Sequence, residues 1–204
     1  MDILIGCESS GVIREAFRKL GHNAWSCDLL PADDGSEYHI QGDILAAMHL
    51  GWDMLIVHPP CTYLCSSGLH WNHRTEGRQA KTDAALDFVR LLMDAPIAKI
   101  ATENPVGCIG TQIRKADQYI QPYEFGEDAS KKTGLWLKGL PILTKDPKLY
   151  FPPRIVADGK YAGKERWSNQ TDSGQNRLGP SEDRWKERSK TYQGIADELA
   201  EQWG

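Results

Sequence analysis

The first 105 residues repeat one arrangement: a short apolar run that ends abruptly at a glycine, an acid or a proline, followed by a polar turn. Such runs are too short for helices and carry little polar alternation. They read as strands buried on both faces, the kind found in parallel sheets covered by helices. Residues 2–7 (DILIGC) are the first, 23–27 the second, ending at Asp28, and 38–44 the third, ending at Gly42-Asp43. Residues 54–57 are the fourth and run into His58-Pro59-Pro60-Cys61, where proline must end sheet pairing. Between the first two, Val12, Ile13, Phe17 and Leu20 recur at helical spacing, with Ser9 or Ser10 as cap and Gly21 as stop. Residues 79–93 form an amphipathic helix with Ala80, Ala84, Phe88, Leu91 and Leu92 on one face, and 99–102 lead into Glu103-Asn104-Pro105. This rhythm predicts an α/β fold with a Rossmann-like, doubly wound, mostly parallel sheet.

In such a sheet ligands bind beyond the carboxyl ends of the strands. The chemically unusual residues lie at those ends: Cys7-Glu8, Asp28, Asp43, Pro60-Cys61 and Glu103-Asn104. Scattered in sequence, they are expected to converge along one edge.

A length of 204 residues suits one domain. We divide it into a cofactor-binding and catalytic part (1–143), a Pro- and Gly-rich basic loop region (144–182) and a C-terminal helical segment (183–204) packing back on the first. Residues 134–143 read as a late, antiparallel strand, and 184–203 as helical with a break near Gly194. Net charge is −4, from 24 Lys+Arg and 28 Asp+Glu, which excludes a basic-coat nucleic-acid binder. Residues 145–190 nonetheless hold eleven Lys/Arg against seven Asp/Glu, a local excess of +4 that leaves room for an anion-facing patch. Trp167 and Trp185 in that stretch suit stacking on bases, although a solvated loop with incidental basic residues reads equally well. Five cysteines without CxxC pairs point to a reducing compartment, and no run of about 18 apolar residues predicts a membrane span.

Gly6 to Gly11 (GCESSG) only partly matches a dinucleotide fingerprint and has no Walker lysine. Asp28, about 20 residues on, is placed to hold ribose hydroxyls. Asp43 could accept a bond from an adenine amino group. Taken singly each also reads as a turn carboxylate; together they suggest an adenosine-containing cofactor without a phosphate clamp.

At the other end of the edge, Cys61 follows a diproline and offers a thiolate nucleophile. Glu103, kept partly protonated by burial, could donate a proton. Two other readings stay open. His58, Cys61, Cys65, His70 and His73 fall within sixteen positions and could bind zinc, though their spacing matches no familiar finger. Cys61 could also be a small buried residue, as Cys7, Cys27 and Cys108 are expected to be.

Taken in order, these residues resemble the DNA cytosine-5 methyltransferases that use S-adenosylmethionine. That family has a glycine turn after its first strand (compare Gly6 to Gly11), an acid after the second (Asp28), and Gly-Asp-Ile after the third (Gly42-Asp43-Ile44). Its Pro-Cys nucleophile is similar to Pro60-Cys61, its Glu-Asn to Glu103-Asn104 with Pro105 in the usual valine place, and its closing helical motif to SKTYQGIADELAEQW. The resemblance implies a sheet of the class I methyltransferase type. It implies that Gly6, Glu8, Ser9, Ser10, Gly11, Asp28, Leu29, Asp43 and Ile44 hold S-adenosylmethionine. Cys61 and Glu103 would be catalytic, supported by Pro60, Asn104 and Pro105, on a DNA cytosine flipped into the pocket.

The departures matter too. Thr62 stands where the family has Gln, and its Gln-x-Arg-x-Arg motif has no clear counterpart; Gln121, Lys131, Lys132 and Arg166 are the nearest nucleic-acid-binding candidates. The interval 144–190 is short for a recognition domain, which implies short sequence specificity, or recognition by a partner subunit or a second copy. The expected setting is the cytoplasm of a bacterial host, with a phage or mobile element as source. Two alternatives remain: pyrimidine modification on nucleotide or RNA, and a non-catalytic cofactor- or DNA-binding protein of the same fold.

Overall fold

The computed structural model describes residues 1–181 and 184–204, without the side chains of Trp185 and Lys186. In chain order, β1 (Asp2–Gly6), α1 (Val12–Lys19), β2 (Asn23–Asp28), β3 (His39–Gln41), α2 (Ile44–Ala47) and β4 (Met54–Val57) form the first half. Then come α3 (Ser66–Leu69), α4 (Arg78–Met93), β5 (Lys99–Pro105), α5 (Ile109–Gln112), β6 (Gln118–Ile120) and β7 (Thr133–Lys138). A two-stranded ribbon, β8 (Arg154–Ile155) with β9 (Glu165–Arg166), precedes α6 (Arg184–Ser189) and α7 (Gln193–Trp203). The main sheet has seven strands in the order β3-β2-β1-β4-β5-β7-β6, parallel except for β7, which runs antiparallel to β5 and β6. It is the expected Rossmann-like, doubly wound, mostly parallel sheet. Among the described residues no helix is long and apolar enough to cross a membrane.

The unbroken apolar runs follow from burial on both faces. Ile3, Ile5, Met54 and Ile56 point into a core shared with Phe17 of α1 and Ile195, Leu199 and Trp203 of α7. Their neighbours Leu4, Leu55, Val57 and Ile100 point the other way, onto Ile44, Ala47 and Leu92.

Several boundaries differ from the sequence expectation. β5 does not stop at Thr102: its parallel partner β4 ends there, but β7 supplies new partners, Glu103 opposite Leu135, Asn104 opposite Gly134 and Pro105 opposite Thr133. Pro105 is therefore the last residue of the strand rather than a fixture beyond it. Neither Ser9 nor Ser10 holds the cap position of α1, although Ser10 Oγ accepts from the Val12 amide at 3.4 Å. Gly11 holds the cap position at φ 73°, and Glu8 Oε1 accepts from the Ile13 amide at 3.2 Å and from Ser10 Oγ at 2.8 Å. The C-terminal break, expected near Gly194, spans residues 190–192, with Tyr192 as the cap of α7. Gly194 sits in the first turn because a Cβ there would lie 1.8 Å from the Phe125 carbonyl oxygen.

Trp167 also departs from expectation. It is buried and stacked on Tyr123, with centroids 3.9 Å apart, while its indole N–H donates to the Phe151 carbonyl. It anchors the ribbon segment and offers no free face to a base. The Trp185 side chain lies outside the described residues.

Candidate active site at the carboxyl edge

β4 and β5 are parallel neighbours with Val57 opposite Thr102, so His58 and Glu103 leave the paired region side by side. The His58 amide donates to the Gly6 carbonyl at 3.0 Å, and His58 Nδ1 lies 2.8 Å from Glu103 Oε2. Buried Asn104 donates through Nδ2 to the Pro59 carbonyl at 2.6 Å, fixing the diproline from the next strand. Beyond Pro60 the chain turns through Cys61–Tyr63, and the Cys65 amide reaches back to the Cys61 carbonyl at 3.0 Å. This turn is stitched to the chain leaving β5: Ser66 N–H bonds Val106 O at 3.0 Å, and Cys108 N–H bonds Leu64 O at 2.8 Å. The crossing is so close that a Cβ on Gly107 would sit 1.9 Å from Leu64 O.

The Cys61 thiol is thereby held within electrostatic reach of Cys65, Glu103 and Lys131. The hydrogen bond it shares with Cys65 pushes its pKa above the ordinary thiol value, with burial and the charges of Cys65 and Glu103 adding to this and Lys131 opposing. Cys65 moves the other way, because that bond, against its burial, and donors at Ser67 and Gly68 favour its thiolate.

Glu103 corrects the expectation of a carboxyl kept protonated by burial. Burial does raise its pKa, but the His58 hydrogen bond and charge, the Lys131 charge and the Thr133 hydroxyl outweigh it and bring it below the ordinary value. The zinc alternative is not assembled: among the described residues no three or more His, Cys, Asp or Glu side chains are placed to hold a metal.

Across the sheet switch point lies the turn after β1. Buried Glu8 has its pKa raised by desolvation, against the opposing His58 charge, and its Oε2 has no partner among the described residues. Cys7 adopts φ 57°, a left-handed conformation that side chains seldom take. Its thiol is pushed up to about 12 by burial, then by Asp28, Cys27 and Asp43, so both acids converge on it. Each acid also has a local duty: Asp28 Oδ1 accepts from Leu30 N–H and Asp43 Oδ1 from Leu45 N–H, both at 2.9 Å. Leu29 beside them is 74% exposed, an apolar face at a polar edge. Ile44 is buried beneath Gly6, where a Cβ would meet its Cδ1 at 2.6 Å. Ser9 turns its carbonyl to the Asp33 amide at 2.9 Å.

Of the four basic or amide candidates, Lys131 is the one placed against both Cys61 and Glu103. Gln121 is spent on a capping box with Glu124. Lys132 lies over the Tyr119 ring at 4.8 Å, and Arg166 bonds the carbonyls of Glu165 and Asp172. Sequence reasoning passed over His58 as a partner of Glu103 and Cys65 as a partner of Cys61. The sequence signal was there: a polar residue at a strand end, and a cysteine one helical turn after the first. It also passed over the segment following Cys61, where Trp71 is 48% exposed with Arg74 5.9 Å from its ring, and Arg78 and Lys81 flank the Tyr63 ring.

No protein-family profile and no curated protein sequence matches the chain. Among solved structures, a chain described as a DNA modification methyltransferase encoded within a prophage (E. coli) aligns over 69% of this chain and 48% of its own length. Its TM-score is 0.45 at 13% identity. This chain thus spans about half the length of that protein.

Proposed function

We propose that the chain is an S-adenosylmethionine-dependent methyltransferase acting on carbon 5 of cytosine in DNA, through a covalent adduct to Cys61 and with short sequence specificity. The observation that carries this reading is the convergence of Cys61, Glu103 and Lys131 on one edge, beside the acid-lined turn after β1. The turn fits the cofactor on two counts. The unpartnered, buried Glu8 Oε2 suits an ammonium group, and Asp28 and Asp43, on adjacent strand ends beside exposed Leu29, suit a ribose and an adenine. Gly6, Ser9, Ser10, Gly11 and Ile44 would shape the floor of that turn. When bound, the cofactor supplies the methyl group from its sulfonium.

The protein's own part is to make carbon 5 a nucleophile. Cys61 adds to ring carbon 6 while Glu103 donates to ring nitrogen 3, because addition to the ring moves negative charge onto its heteroatoms. Lys131 faces the same charge. Pro60 fixes the nucleophile's turn, and Asn104 and Pro105 fix the position of Glu103. Loss of the carbon-5 proton and expulsion of Cys61 then free the product. The DNA-facing surface is assigned to Trp71, Arg74, Arg78 and Lys81 beside the Cys61 turn, since an exposed indole amid cations suits base and phosphate contact.

The deciding experiment is labelled-methyl transfer to a panel of double- and single-stranded DNA, RNA and free nucleotides, with the modified base mapped. Label on cytosine carbon 5 of DNA supports the reading. Label confined to RNA or nucleotide moves the substrate, and no label with cofactor still bound favours a non-catalytic binder.

A further inference from the structure

Glu103 must donate a proton, yet its surroundings hold it ionised. The nearest proton carrier is His58, whose Nδ1 is 2.8 Å from Glu103 Oε2, with side chains only 14% and 20% exposed. Its backbone is held by the Gly6 carbonyl and the diproline that follows, which sets the imidazole beside that oxygen. Its far nitrogen, Nε2, is buried and has no partner among the described residues, on a ring that also feels the buried Glu8 carboxylate. His58 and Glu103 both line the same cavity, together with Lys131, Thr133 and Tyr192. The groups facing this pair are thus Glu8 from the β1 turn, Cys61 from the β4 turn, Lys131 from the segment just before β7 and Tyr192 from the α7 cap.

From this geometry we infer that His58 is the positioning residue that loads Glu103, passing it the proton that Glu103 then presents to the base. The inference rests on the methyltransferase reading and adds a residue to it. In the step, the Nδ1–H bond of the imidazolium breaks and an O–H bond forms on the Glu103 carboxylate. The neutral carboxyl then donates that proton to ring nitrogen 3 as the Cys61 thiolate adds to carbon 6. When the adduct collapses, ring nitrogen 3 returns the proton along the same path, so neither residue is changed over a cycle. A carboxylate alone would set a lone pair against the lone pair of ring nitrogen 3, so the imidazolium removes a repulsion as well as supplying a proton.

The test compares the parent with His58→Asn, which keeps an N–H donor near the place of Nδ1, and His58→Gln. Melting curves and binding of a cofactor analogue check that both fold. The readout is the rate of covalent adduct formation with a 5-fluorocytosine oligonucleotide between about pH 5 and 8, the range in which histidine changes charge. We expect both variants to run about 100-fold or more below the parent at neutral pH, a ratio in which the ionisation of Cys61, common to all three proteins, cancels. That deficit should close only in acid, where Glu103, freed of the imidazolium, holds its own proton. A His58→Asn protein within a few-fold of the parent and with the same pH profile overturns the inference, because a structural donor would then suffice. A parent that forms no adduct on any cytosine substrate overturns the methyltransferase reading instead. In that case the inference is decided by nuclear magnetic resonance. A downfield proton on His58 Nδ1, lost in His58→Gln and displaced in Glu103→Gln, supports the shared proton, and its absence overturns it.

Discussion

Asn104 Nδ2 lies 2.6 Å from the Pro59 carbonyl oxygen, a buried hydrogen bond that ties the end of β5 to the turn carrying Cys61. The residue beside the proposed acid thus holds the backbone beside the proposed nucleophile, and the two ends of the chemistry move as one body.

Removing that bond should cost stability and activity together. Asn104→Ala leaves a buried carbonyl without its donor, a loss of about 1–3 kcal/mol. Urea unfolding should show it as a lower midpoint with unchanged slope. Adduct formation should fall in the folded protein as well, since Cys61 and Glu103 lose their common anchor.

Cys61→Ala should abolish methyl transfer and trapping by 5-fluorocytosine DNA while cofactor binding, measured by calorimetry, stays at the parent value. Without the covalent step carbon 5 of cytosine is scarcely nucleophilic. Normal turnover by this variant would falsify the mechanism.

Cys65 governs when Cys61 is ionised. Because the hydrogen bond between them is the largest cause of the raised Cys61 pKa, Cys65→Ala should move alkylation of Cys61 to lower pH. In the parent, mass spectrometry of partly alkylated protein should find label at Cys65 first as pH rises, since that sulfur holds the charge.

Glu8 gives a pH signature in stability. Burial raises its folded pKa, so the folded chain binds this proton more tightly than the unfolded chain does. The stability it contributes is full below the ordinary carboxylate value and is lost as pH rises through the raised one. Glu8→Gln, which keeps the acceptor for the Ile13 amide, should therefore be more stable than the parent at neutral pH. The difference should close in acid, as thermal melts over that range would show.

Trp167 and Trp71 should behave as opposites. Trp167→Ala removes a buried ring stacked on Tyr123 and should destabilise the protein by about 3–5 kcal/mol. Trp71→Ala removes an exposed ring and should leave the melting temperature unchanged. Its DNA affinity should weaken by about 1–3 kcal/mol, the worth of one stacked base.

The amino-acid sequence by itself determined the sheet and its reactive edge. Runs such as Ile3–Leu4–Ile5 and Leu55–Ile56–Val57 must be buried on both faces. Their abrupt polar ends name the places where chemistry can stand, because parallel strands present those ends on one side. What lies between residues far apart in the chain was decided only by the tertiary structure. Glu103 was expected to be kept partly protonated by burial, but strand register sets His58 against it, and the interactions with His58, Lys131 and Thr133 together outweigh desolvation. Trp167 carried a composition suited to DNA, but packing on Tyr123 took its face. Periodicity reports which side of an element is buried. Pairwise electrostatics falls off over a few ångströms and depends on which strands become neighbours, which no local pattern encodes.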